Sequence, residues 1–535
     1  MKIRVVIVFY LLSCSFAAHV IGEDLLVTIG KTTTKITSPL KPDGYPDYLA
    51  ALNTEIRGET TPQNNLAVGI WRTFGPASIP PELRPLFFNT LGIDELPEEG
   101  NYLIDLATYH RQLLGTFDAS KTTADEYSAK SKTHEDDYSF VMHNAWTQES
   151  HPNVFEWRAK HLNHIQALIQ LITTHDHYYQ PYVIPSASSS DDKDSVSPVL
   201  ISILLPGAQQ AREVARALAI DAHYHLGKGD LDAAIRNSIA THRMGRLTAQ
   251  GGTLIEGLVG VAISQIASAI DRHILATHGL DAKQLQTHLG ALKSLPPMSS
   301  FIDKINVSER YMFLDTTIHV ARYGSFTMGL LDESPNTPQL TSDLGKALSS
   351  SLVDWDHVLR RGNYWYDEMY RIGTIKNIHQ RTKAHADFEK QLKAIAKQTS
   401  DPVSLAKEVL LSGKSLPELT SEQMSNVMVS LLMPSLVTVI DAENRGLMET
   451  EINQVGIALE LHYLKNQSYP SKLSDLIGPS LRDLPEDRFN EKGLTYKKTT
   501  TGYLLYSFGI NREDDQGRSR DENPSADDLA LKRQR

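Results

Sequence analysis

Apolar positions recur at steps of three and four through most of this chain, the spacing that lines one face of a helix. An amphipathic helix is expected from near Asp47, and further helical patterns follow at "NNLAVGIWRTF", "PELRPLFFNTLG" and "YLIDLATYHRQLLGTF". The 121–137 segment is polar and predicts an exposed stretch, whereas 155–175, "FEWRAKHLNHIQALIQLITTH", returns to helical spacing. The most regular part, "QQAREVARALAIDAHYHLGKGDLDAAIRNSIATHRMGRLTAQ", predicts two antiparallel helices. Gly227 and Gly229 break the first and Asp230 caps the second. So short a connection packs the two side by side, and the absence of a 34-residue period argues against a repeat array. "LIEGLVGVAISQIASAIDRHIL" is apolar nearly all round. Glu256, Gln265 and Asp271 interrupt it, so it predicts a buried central helix rather than a membrane span. Long helices are expected again over 301–322 and 352–397.

The pattern changes near the end. From Pro434 a long helix carries Met448, Ile452, Val455, Leu459 and Tyr463 on one face, the stripe a helix lays on a small sheet. Two strands, "LTYKK" and "GYLLYSFG", follow, and an acidic loop runs on from them. The expected fold class is mainly α with a small C-terminal α+β module: a helical-hairpin body, then a long helix packed on a short antiparallel sheet. The expected divisions are 1–22 as a signal peptide, 23–185 as a mostly helical region, 186–198 as a low-complexity loop, 199–430 as a central helical region, and 434–535 as the last module.

Composition narrows the function classes. Hydrophobic residues make up 41% and charged residues 22% of the 535, which is a globular balance. The formal charge of -11, with no Lys/Arg stripe, argues against a nucleic-acid binder. At the N-terminus Lys2 and Arg4 precede an apolar run and then small residues, the layout of an export signal. Val20 and Gly22 favour cleavage after Gly22. The single cysteine, Cys14, lies inside that segment, so a chain cut after Gly22 forms no disulfide. "LLSC" leaves lipidation of Cys14 open as an alternative anchor. A periplasmic or extracellular protein is expected, without a transmembrane span in the mature chain.

The series "ALELHYLKNQSYPSKLSDL", "LPEDRF", "LTYKKTTTGYLLYSFGINREDD" and the late "DDL" resembles the globular domain of type II secretion pseudopilins over about the last hundred residues. The resemblance implies a helix on a small antiparallel sheet and a calcium site in the loop that follows. Carried over, the ligands are the carbonyls of Leu505 and Ser507 and the side chains of Asn511, Asp514, Asp527 and Asp528. Charge supports a cation independently: seven acids from Glu513 to Asp528 face only Arg512, Arg518 and Arg520. Gln516 and the arginines depart from the family's glycine-rich loop, and some 430 residues precede the module where a pseudopilin has a leader and a membrane helix. Upstream, "TKITSPLKPDGYPDYLAALN", "TPQNNLAV", "LLPGAQQAREVARAL" and "GGTLIEGLVGVAI" resemble a secreted family of planctomycete-type bacteria. That resemblance implies export and a helical body and brings no activity with it.

Catalytic constellations are sparse. There is no HExxH, no G-x-S-x-G and no Walker spacing around "GKGD". His161 and His164 are three apart on a helix, His175 and His177 flank Asp176, and His223 and His225 bracket Tyr224. The carboxylate pairs Asp354/Asp356 and Asp136/Asp137 read as solvated surface, and Tyr45 and Tyr48 as anchors of a turn. The expected function is therefore a non-catalytic binding or structural component of the cell envelope, acting with an envelope partner and carrying a calcium-stabilised last module. The alternatives are an envelope hydrolase assembled from dispersed His and Asp residues, or an accessory part of a secretion system.

Overall fold

A computed structural model of the chain describes residues 25–118, 120, 122–184, 199–323, 353–399, 414–433, 436–478, 481–490 and 492–534. The segment expected as an export signal, with Cys14, and the 186–198 loop lie outside the described residues. The fold is mainly α, with one small antiparallel sheet near the C-terminus.

Several helices start where the sequence supplies a capping side chain. Asp47 accepts from the Ala50 N–H at 3.0 Å and opens α1 (Tyr48–Arg57), and Asn65 opens α2 (Leu66–Phe74). Next come α3 (Arg84–Leu91), α4 (Leu106–Leu114), α5 (Ala124–His143) and α6 (Pro152–Thr174). The polar 121–137 segment falls largely in α5. It is mostly exposed but helical, begun by a reciprocal cap between Thr123 and Glu126. Trp71 packs edge-on against Phe87 and Phe88, and the indoles of Trp146 and Trp157 donate to the carbonyls of Ile220 (2.9 Å) and Ile104 (2.7 Å). A buried tryptophan's indole N–H usually finds such a partner.

The central hairpin pairs α7 (Pro206–Gly227) with α8 (Leu231–Thr248), and α9 (Leu254–Ala276) packs against both. Small residues set how close α8 and α9 come. A Cβ on Gly245 would lie 2.7 Å from the Gly260 carbonyl oxygen, and one on Gly260 would lie 2.5 Å from that of Gly245. By length and composition α9 is apolar enough to cross a membrane, yet 67% of its most apolar stretch is buried inside the protein.

After α10 (Ala282–Lys293), a π-helical turn at Ile305–Glu309 separates α11 (Phe301–Lys304) from α12 (Arg310–Tyr323). That turn places two ionisable groups at two helix ends. Lys304 donates to the carbonyls of Ala249 and Gly251 at the end of α8, where its charge complements the helix dipole. The Glu309 carboxyl accepts from the Leu254 N–H at the start of α9, and burial, the larger cause, raises it to about 7.

The stretch expected as one helix over 352–397 is two, α13 (Trp355–Gly373) and α14 (Ile378–Thr399). Asn377 ends the continuity by accepting from the Gln380 N–H at 2.9 Å, a new N-cap. Then follow α15 (Leu416–Leu432) and α16 (Leu436–Asn466). Met448, Ile452, Val455 and Leu459 are buried, Tyr463 is partly so, and this face meets α10 and the sheet.

The sheet has three strands, β1 (Thr495–Lys498), β2 (Gly502–Ser507) and β3 (Leu529–Gln534), in the order β1-β2-β3. Both pairings are antiparallel, with Tyr496 opposite Leu505 and Leu505 opposite Leu531. β3 was not expected: the acidic loop does not run on as a tail but returns as a strand. Its residues Leu529, Leu531 and Arg533 point inward while Lys532 and Gln534 point out, a period-2 alternation too short to stand out beside seven acids.

One buried polar node ties the last module to the body. Asp271 accepts from His242 Nε2 (2.8 Å), His288 Nε2 (2.9 Å), the Ser238 hydroxyl and Asn453 Nδ2 (3.4 Å), so α8, α9, α10 and α16 meet on one carboxylate. Burial pushes this carboxyl up, but the two imidazoles outweigh it and hold it well below the usual range.

Candidate functional site

Two polar stripes face each other across a groove. On α14, Arg381, His385 and Glu389 stand at steps of four, beside the buried stripe of Phe388 and Leu392. On the first turns of α16, Ile440, Glu443, Asn444 and Leu447 form the opposite wall. Ser300 and Ile302 of α11 and Gly373 at the end of α13 close the floor, and Arg488 stands at one end. Ile510 and Arg512, from the loop between β2 and β3, stand at the other. The result is two adjoining cavities of about 220 and about 120 Å³ that share Arg381, His385, Ile440 and Asn444. The groove thus lies where the helical body meets the C-terminal module.

Its polar groups are unequally satisfied. His385 is 6% exposed, and neither ring nitrogen has a hydrogen-bond partner. Burial, with Arg381 as a like charge beside it, lowers the imidazole to about 4, so the ring is neutral at neutral pH with one donor and one acceptor to offer. The Arg381 guanidinium reaches only the Ile375 carbonyl, at 3.4 Å, and among the described residues it makes no ion pair. Arg488 is paired to Glu451 at 2.6 and 3.3 Å, and Arg512 lies 3.6 Å from Asp441. Burial raises the Glu443 carboxyl, which accepts weakly from the Phe301 N–H at 3.4 Å. Unpartnered buried polar groups are rare in native interiors. Here they border open volume, which is where a ligand would complete them.

The histidines and carboxylates singled out from the sequence are dispersed. His161 is buried against Trp157 with both ring nitrogens unpartnered, and His164 binds the Asn101 carbonyl at 2.9 Å. His175 turns back on the Leu171 carbonyl (2.9 Å), and His177 bridges through its backbone to Asn65. His223 meets His273 at 2.8 Å, while His225 faces Asp221 and Asp230 at 3.5 and 3.3 Å. Asp354 caps α13, Asp356 accepts from the Thr28 N–H (2.8 Å), and Asp137 stands 3.9 Å from His151. Tyr48 donates to the Thr34 carbonyl (2.8 Å) and Tyr45 accepts from the Leu26 N–H (3.2 Å), anchoring the N-terminal turn.

The six residues carried over as calcium ligands occupy one end of the sheet and its loop. Leu505 and Ser507 are buried in the central strand, where Ser507 gives its hydroxyl to Asp487 at 2.7 Å. Asp514 accepts from the Tyr506 hydroxyl (3.0 Å), Asp527 from the Asn511 N–H (3.2 Å), and Asp528 Oδ2 from the Gly517 N–H (2.7 Å). Asp528 Oδ1 is buried without a partner, and burial, with Asp515 and Asp514 as further like charges, pushes its carboxyl up to about 6. Among the described residues, no three His, Cys, Asp or Glu side chains form a group able to hold a metal.

The groove escaped the sequence reading because its walls come from segments around 300, 373–389, 440–447, 488 and 510–512. The available hint was local: a polar stripe of Arg381 and His385 beside an apolar one. Comparison with protein-family models, curated proteins and solved structures finds no match to this chain.

Proposed function

We propose that the chain is an exported, non-catalytic binding component of the cell envelope whose ligand seats in the groove between α14 and α16. The observation that carries this reading is His385, nine-tenths buried with both ring nitrogens free, on the wall of a cavity. Export is supported by the N-terminal charge and apolar pattern alone. A groove at the seam of body and module also gives the last module a role, since Ile510 and Arg512 belong to its rim.

The test is thermal unfolding of the mature protein against compact anions, neutral sugars, amino acids and polyamines, beside the variant Ala386→Trp. Ala386 is an exposed residue of the groove lining, so a tryptophan there obstructs the cavity without entering the core. One chemical class should raise the wild-type midpoint and leave the variant unmoved. A class that stabilises both equally, no stabilising class at all, or hydrolytic turnover of any of these compounds defeats the reading.

A calcium ion in the β2–β3 loop is a second, separable proposal. The unpartnered Asp528 Oδ1 and its raised carboxyl favour it, because a cation stabilises the charged form that burial disfavours. Asp515 and Asp514 are the carboxylates that act on Asp528 as like charges, and a metal there would stiffen the loop that ends the groove. Against it, Asp514, Asp527 and the other oxygen of Asp528 already accept from O–H or N–H donors.

A further inference from the structure

We infer that the groove's ligand is a compact oxyanion, a carboxylate or a phosphate, held by the Arg381 guanidinium and by a ring N–H of His385. This rests on the binding reading above and narrows it to one chemical class. Two guanidinium groups, Arg381 and Arg488, line the groove, and a third, the buried Arg246 of α8, is close enough to Arg488 to feel its charge. Burial is the largest cause lowering both Arg246 and Arg381; a carboxylate opposes it next, Glu451 for Arg246 and Glu443 for Arg381, and Arg488 adds a smaller like charge. Four carboxylates stand at or near the groove as well. Glu451, Asp441 and Glu389 are committed to Arg488, Arg512 and Lys393, and Glu443 makes no ion pair among the described residues. Burial raises the Glu443 carboxyl, with the Phe301 N–H, Arg381 and Arg488 opposing it, and Arg381 is left without a paired carboxylate among the described residues. Arg246 leaves Nε and one terminal nitrogen without partners. A planar fork matches carboxylate or phosphate oxygens two at a time, and Arg381 is the guanidinium of the set that both lines the cavity and lacks an ion pair among the described residues.

A neutral polyol leaves the Arg381 guanidinium without a charged partner, and a cation is repelled by it. An oxyanion completes the Arg381 fork and one nitrogen of His385 together, and the remaining nitrogen is left for a neighbouring hydroxyl of the same ligand or for water.

The experiment is calorimetric titration of the mature protein at low ionic strength with inorganic phosphate, D-glucuronate and D-glucose in separate runs. The proteins are wild type, Arg381→Gln and Ala386→Trp. Arg381 is partly exposed and makes one weak hydrogen bond, so the glutamine variant should melt with the wild type, and that is checked first. At least one of the two anions should bind, and which one does tells phosphate from carboxylate. Glucose should not. Arg381→Gln should weaken the anion at least ten-fold, and Ala386→Trp should abolish binding. If glucose alone binds and Ala386→Trp blocks it, the groove is a binding site but the ligand class is overturned. Anion binding that ignores Arg381→Gln overturns the inference as well. If no compound binds in calorimetry, and none of the wider panel shifts the melting midpoint, both readings fall.

Discussion

Asp271 and His385 are both buried polar residues beside α16, and they behave in opposite ways. Around Asp271, four donors from three helices converge on both oxygens of one carboxylate, and each histidine spends one ring nitrogen on it while its Nδ1 stays unpartnered. Around Arg381 and His385, an imidazole spends neither nitrogen and a guanidinium has no ion pair among the described residues, and both border open volume. Burial alone therefore does not mark function. A buried polar group whose bonds close within the protein specifies packing, whereas one whose bonds stop at a cavity wall points to a missing partner.

The sharpest way to break the contrast is to cut the node. Asp271→Asn leaves two imidazoles competing for a weaker acceptor and should cost about 3–5 kcal/mol, the usual penalty for breaking a buried charged network, read as a lower urea midpoint. By contrast, Arg381→Gln should stay within about 0.5 kcal/mol of wild type in the same unfolding experiment while losing the ligand. Equal losses of stability at both sites would erase the distinction.

Acid should separate the regions next. Burial lowers His110, His161, His223, His319 and His385 to about 4 each. Their folded values lie below the unfolded reference near 6.5, so the stability they lend is fully present above that pH and fades as pH falls towards 4. Asp271 is depressed, so its contribution persists through that window and is lost only below the ordinary carboxylate range. Melting midpoints should therefore fall between about pH 6.5 and 4. The fall is smaller than the five histidines alone would give, because the raised carboxyls of Glu309 and Asp528 stabilise the fold as they protonate in the same window. His385→Gln should flatten part of that fall, and so should saturating oxyanion, because an anion beside the ring favours its charged form.

The smallest expected effect concerns the acidic loop. Millimolar calcium should raise the midpoint of the wild type and not of Asp528→Asn, since a ligand that binds only the folded state must stabilise it. In chelator the asparagine variant should melt slightly higher than wild type, because a buried, raised carboxyl is relieved of its charge. An unchanged midpoint with calcium would leave the loop as a hydrogen-bonded turn.

Much of the fold was legible because it is written in local spacing. Asp47, Asn65 and Asp230 cap the helices they precede, Gly229 turns the hairpin at φ +72°, and the stripe from Met448 to Leu459 is buried. Asp271 looked like an interruption in an apolar helix, and its partners explain why the helix is buried all the same. β3 was missed because acidic neighbours masked six residues of alternation, and the single 352–397 helix because Asn377 caps as well as it loops. The groove was illegible for a different reason: no single segment carries it. Sequence spacing places Arg381 and His385 on one face, but it cannot tell that Asn444 and Arg488 stand across from them.

The most direct test is amide hydrogen exchange of the mature chain with and without whichever of phosphate or glucuronate binds. Protection concentrated on 378–389 and 440–447, with the α8–α10 node unchanged, is the predicted result. Protection confined to the β2–β3 loop, or spread evenly over the molecule, would contradict the claim that the open polar groups at Arg381 and His385 are the ones awaiting a partner.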